Sequence, residues 1–130
     1  MTISAISQLA VQTIRAKAVG QDIVFVSGTF NIVHPGHLRL LRFAAECGDL
    51  LVVGVLSDRL ASGAQLQETM RLDGVDAISL VSHAFCLDDA PADFISELQP
   101  SIVVKGNEHE NYNNPEQSVI QAYGGKLLFS

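Results

Sequence analysis

The chain has 130 residues, 48% of them apolar and only 17% charged, which fits one domain with a real core and argues against disorder. Its formal charge of −6 disfavours duplex nucleic acid or an acidic membrane as a partner, yet leaves a nucleotide ligand open. Cys47 and Cys86 make no disulfide framework, no basic head with an apolar run opens the chain, and the longest apolar run is too short for a bilayer; the expectation is a soluble, cytoplasmic protein.

Ile3, Ile6, Leu9, Ala10 and Ile14 recur at helical spacing, with Gly20 as a stop, and predict an amphipathic first helix. Ile23 to Val26 is a short apolar run, as expected of a strand covered on both faces. Similar runs follow at Leu50 to Leu56, Ala84 to Leu87, Ile102 to Val104 and Lys126 to Phe129. Helical patterns lie between them, at Pro35 to Cys47, Gln65 to Val81, Pro91 to Gln99 and Pro115 to Tyr123. Strand and helix alternate, which predicts an α/β fold with a parallel sheet and crossover helices. Two looser segments, Ser57 to Ala64 and Asn107 to Asn114, follow strand ends, where open α/β sheets place ligands.

The chemistry gathers after the first strand, at VSGTFNIVHPGH, residues 26 to 37. His34 stands where an N-cap belongs, and Pro35 takes the first helical position, where a missing N–H costs nothing. Free N–H groups at this helix start, joined by those near Gly28 and Thr29, favour an anion. Gly36 has no side chain to block a ligand, and the imidazoles of His34 and His37, one turn apart, point into the same space. The pattern suits phosphoryl or nucleotidyl transfer, which needs phosphate oxygens held still and their growing charge neutralised. A metal pair is the alternative for His-x-x-His, but no third ligand is spaced to help. Elsewhere, His83 reads as structural, Asp88 and Asp89 as a helix-entry turn, and Asp58 as a residue placed to orient Arg59.

These residues resemble the HxGH signature of the cytidylyltransferase-like nucleotidyltransferases. The resemblance extends through GTFNIVHPGHLRLLRFAAECGDLLVVGVLSD, through Arg71 with Val75, Ile78 and Val81 behind it, and through IVVKGNEHE at 102 to 110. The helix before the first strand is similar to that of the heptose-1-phosphate adenylyltransferase branch; glycerol-3-phosphate cytidylyltransferases usually begin at the strand. The resemblance implies a Rossmann-like three-layer sandwich, with a parallel sheet ordered 3-2-1-4-5 and an extra N-terminal helix, as one domain over residues 1–130.

It also implies an activity: transfer of AMP or CMP from ATP or CTP to a sugar or polyol phosphate, with pyrophosphate released and Mg²⁺ carried on the nucleotide. By the same resemblance, His34, His37 and Arg71 are the catalytic residues. Gly28, Thr29, Phe30, Gly36, Lys105, Gly106 and Glu108 join the histidines in binding nucleotide, while Asn31, Arg59 and His109 face the acceptor. Similar enzymes are often dimers, so a homodimer is the implied assembly.

Several positions depart from the family pattern. Asn31 replaces a common Asp, Ser82 replaces a frequent Asp, and the segment from Ser57 to Met70 has no lysine, leaving Arg59 as its cation near the phosphates. The family's Ser/Thr-rich segment after the fifth strand has no counterpart before Ser130. These departures motivate an alternative, a catalytically weakened nucleotide-binding module of a larger or fused enzyme. A structural domain with an empty crevice is a third reading.

Overall fold

A computed structural model describes residues 3–130. In chain order the elements are α1 (Ala5–Lys17), β1 (Ile23–Gly28), α2 (Pro35–Glu46), β2 (Leu50–Leu56), α3 (Glu68–Asp76), β3 (His83–Leu87), α4 (Pro91–Leu98), β4 (Ile102–Lys105), a 3-10 turn (Asn107–His109), α5 (Glu116–Ala122) and β5 (Lys126–Phe129). The five strands form one parallel sheet in the order β3-β2-β1-β4-β5. This is the Rossmann-like α/β architecture that the resemblance implies.

Alternation along the strands divides the core between two faces. On one face Phe25, Val52, Phe85 and Val103 pack against α1, α4 and Ile120 of α5. Phe94 of α4 anchors that layer, 5.2 Å from the Phe25 ring and 4.8 Å from Phe85. On the other face Val24, Val26, Val53 and Val104 meet Leu41 and Ala44 of α2 and Val75 of α3. Among the described residues no helix is long and apolar enough to cross a membrane.

The sheet register opens the crevice. β1 pairs with β2 along its whole length, from Ile23 with Leu50 to Gly28 with Val55. With β4 it pairs only at Val24–Ile102 and Phe25–Val103. Beyond Phe25 the two strands part, and their carboxyl ends diverge where chain connections leave in opposite directions. That is the switch point at which such sheets bind ligands.

Two expectations need correction. α3 is shorter than the apolar spacing from Gln65 to Val81 suggests. It ends at Asp76, and Ile78 and Val81 reach the core from i→i−3 turns instead. Asp88 and Asp89 do more than shape a helix entry. The Asp89 carboxylate accepts from the Ser4 N–H (3.0 Å), the Ser4 hydroxyl (2.8 Å) and the Ser7 hydroxyl (2.6 Å), which clasps the start of α1 to the end of β3.

Burial pushes the Asp89 carboxyl up, but the hydrogen bonds from Ser7 and Ser4 outweigh it and hold the group below its ordinary 3.8. A carboxylate with a lowered folded pKa stabilises the protein above its unfolded value and loses that contribution as pH falls through the folded value. Asp89→Ala is therefore expected to cost about 2 kcal/mol at neutral pH, from hydrogen bonds to a charged acceptor. Urea unfolding should show the deficit shrinking below pH 3.8.

Candidate active site

The turn after β1 is built around one ring. A Cβ on Gly28 would lie 3.1 Å from the Phe30 side chain, so glycine lets that ring fold back beneath the turn without a shift. Phe30 takes a left-handed φ of 52°, at a cost on the order of 1–2 kcal/mol for a side chain of its size. Burial of its ring offsets the strain. The ring centroid lies 5.3 Å from that of His37, so the same packing supports the imidazole.

α2 begins with an unusual capping box. His34 Nδ1 accepts from the Gly36 N–H at 3.0 Å, and His37 Nδ1 accepts from the His34 N–H at 3.2 Å. The rings stack with centroids 3.9 Å apart. The anion-binding N–H groups expected here are therefore not free: Gly36 and His34 donate to the rings, and His37 and Leu38 donate to the His34 carbonyl. Each Nδ1 is an acceptor, which places the proton of the neutral ring on Nε2. Gly36 serves this box first, because a Cβ there would come within 2.8 Å of the His34 ring.

Burial, then the neighbouring His34, pushes the His37 imidazole below its ordinary 6.5, against upward pulls from the Ile32 carbonyl and Glu108. The rings face a cavity of about 480 Å³ between the parting ends of β1 and β4. Gly28, Thr29, Phe30, Asn31, Lys105, Gly106, Glu108 and His109 line it with them. Gly36 borders an adjoining lobe. Ser27, Ile32, Leu40 and Val104 complete the first cavity's wall, and no sequence signal beyond their strand and helix positions marks them.

Arg71 does not reach the crevice. Its side chain is fully buried, and Nη1 donates to the carbonyls of Thr29 and Leu56, each at 2.7 Å. Nε donates to the Leu66 carbonyl, and Nη2 pairs with Asp58 at 2.9 Å. The expected phosphate ligand is an internal tie between the ends of β1 and β2 and the entry to α3. Arg59 is also elsewhere: it pairs with Asp88 at 3.0 Å, and Asp58 orients Arg71 rather than Arg59.

The loops at the rim are fastened rather than loose. Asn31 Oδ1 accepts from the Gln65 and Leu66 N–H groups, at 2.8 and 3.0 Å, and holds the loop before α3. Lys105 lines the cavity, but its Nζ is held by Asn114 Oδ1 at 2.8 Å and Glu116 at 3.2 Å. The Asn114 amide in turn donates to the His109 and Tyr112 carbonyls, closing the loop that carries Glu108 and His109. The sequence reading did not single out Asn114; its burial beside a lysine was the missing signal.

The cytidylyltransferase-like family matches residues 25–124. The bifunctional protein HldE of Gluconobacter oxydans is 35% identical over 116 residues, which cover 84% of this chain and 24% of that protein. HldE of Hahella chejuensis is 34% identical over 131 aligned residues, covering 94% and 27% respectively. The chain thus spans about a quarter of the length of these curated relatives. The crystal structure of the lipopolysaccharide core biosynthesis protein from Thermoplasma volcanium matches with a TM-score of 0.74 at 27% identity, over 85% of this chain and 96% of that one.

Two outcomes are expected. Arg71→Met should cost about 3–5 kcal/mol in denaturant unfolding, because it leaves buried carbonyls and Asp58 without their donor. For His37, the lowered folded pKa means that the unfolded chain takes up the proton first on acidification. Stability should therefore fall as pH drops through 6.5, and His37→Gln should remove part of that slope.

Proposed function

Because the chain belongs to the cytidylyltransferase-like family, we propose that it is a nucleotidyltransferase, which moves AMP or CMP from ATP or CTP to a sugar or polyol phosphate and releases pyrophosphate. The observation that carries this reading is the stacked imidazole pair on the cavity at the switch point of the sheet, each ring accepting a backbone N–H at Nδ1. Similarity to the HldE proteins supports a phosphorylated sugar as the acceptor class.

In this mechanism the acceptor's phosphate oxygen attacks the α-phosphorus in line. A new P–O bond forms as the bond to the bridging oxygen breaks, and pyrophosphate leaves with the electron pair. The Nε2–H groups of His34 and His37 donate to α-phosphate oxygens whose charge grows in the transition state. Glu108, exposed on its loop, offers acceptor oxygens to ribose or acceptor hydroxyls. Asn31 and His109 border the acceptor, and the backbone at Gly28, Thr29 and Gly106 allows close approach. Among the described residues no three His, Cys, Asp or Glu side chains converge into a metal site. Mg²⁺ would enter as a companion of the triphosphate, where it would neutralise phosphate charge.

Pyrophosphate release from ATP and CTP, measured across a panel of sugar phosphates, tests the proposal. Tight nucleotide binding with no release for any acceptor would favour the weakened binding module. His34→Ala and His37→Ala should each lower turnover about 10²-fold or more, the scale of losing a preorganised donor. His34→Asn separates two roles: its side-chain oxygen can still cap α2, so about 1 kcal/mol of lost cap stability should return. Turnover should not return with it, and full turnover in any of these variants would sink the assigned roles.

A further inference from the structure

A polyphosphate needs cations, and the three that the family resemblance offers at the site are already engaged. Arg71 is tied to Asp58 and three carbonyls, Arg59 to Asp88, and Lys105 to Glu116. Arg39 is different. None of the ion pairs among the described residues includes it. It stands three residues after Gly36 on α2, and its side chain folds back toward the helix start, as helical geometry favours. Its Nη2 lies 3.8 Å from the position a Cβ on Gly36 would take, next to the His34 ring.

Arg39 also borders a distinct lobe of about 380 Å³, shared with Gly36, Asn107 and Ser130. His34 and His37 border both this lobe and the larger one that contains Asn31. In-line displacement requires attacking and leaving oxygens on opposite sides of the reacting phosphorus. With that phosphorus at the imidazoles and the acceptor on the Asn31 side, the leaving group points into the lobe that holds Arg39.

We propose that Arg39 binds the β- and γ-phosphates of the donor nucleotide and stays with the pyrophosphate as it departs. This rests on the nucleotidyltransferase reading and adds a residue to it. A guanidinium suits the task because its planar fork can hold two phosphate oxygens at once. Sequence position alone shows only an exposed helical arginine. The fold adds the stacked rings and the second lobe.

Isothermal titration of the full chain with ATP, CTP, AMP, CMP and inorganic pyrophosphate tests this for wild type, Arg39→Gln, Arg39→Lys and Arg42→Gln. Arg42 lies one turn further along α2, so its loss removes the same net charge and controls for long-range electrostatics. Arg39→Gln should weaken triphosphate and pyrophosphate by about ten- to a hundredfold, the range for a hydrogen-bonded charge, and leave monophosphates nearly unchanged. Arg39→Lys should recover part of the loss, and Arg42→Gln should match wild type. If wild type binds nucleotide and Arg39→Gln binds triphosphate equally well, or loses mono- and triphosphate alike, the role of Arg39 is overturned while the nucleotidyltransferase reading stands. If wild type binds neither nucleotide nor pyrophosphate, both fall.

Discussion

The site depends on how α2 disposes of its first N–H groups. Most helices spend a serine, threonine or aspartate on this task. Here two imidazoles do it, each accepting a backbone N–H at Nδ1, which leaves the proton of the neutral ring on the opposite nitrogen. The cap therefore relays donor capacity from the backbone to two side-chain points. Much of the neighbouring sequence follows from this. Position 36 must lack a Cβ because the His34 ring lies over it, and Phe30 is held left-handed beneath the turn, where its ring backs His37. Proline at 35 starts the helix without adding another donor to satisfy.

A second constraint comes from the interior. Arg71 is a charged group among apolar side chains, and it is tolerated because its donors meet carbonyls of three different segments and the carboxylate of Asp58. Removal of such a group leaves several polar atoms stranded at once. The reward is placement: the turn at Thr29, the end of β2 and the entry to α3 are fixed to one point. Asn31 adds the next tie, from the crevice rim to Gln65 and Leu66. The floor of the crevice is thus rigid through polar ties rather than through apolar packing alone. The three cations expected at the crevice are spent on architecture.

This division explains what could be read from the sequence. The five strands were legible because each is a short apolar run, and the start of α2 was legible because proline is favoured at the first helical position after an N-cap. Their meeting at one crevice followed from the family's strand order, which the sheet shows. The fate of individual charges was not legible. Arg71 lies on a helical pattern that any phosphate ligand could share, and its burial depends on carbonyls up to 42 residues away. Asp89 looked like a local turn because its partners, Ser4 and Ser7, lie more than 80 residues earlier. Lys105 kept its predicted position on the cavity wall while its charge went to Asn114 and Glu116. Strand and helix patterns are local; ion pairing is decided by contacts that no window of sequence contains.

Protonation adds a last consideration to the imidazole pair. Rings with centroids 3.9 Å apart cannot both carry a proton cheaply, and burial opposes charge on His37 further. Before a ligand arrives, the neutral donor form of His37 is therefore favoured at neutral pH. Negative charge placed nearby acts the other way, because it favours the protonated ring. Glu108 already acts in that direction on His37. His37 thus holds no costly cation where it is partly buried against a second ring. A lysine in this place would carry its charge permanently and would need an acid partner in the absence of ligand, as Lys105 does. A neutral imidazole needs none.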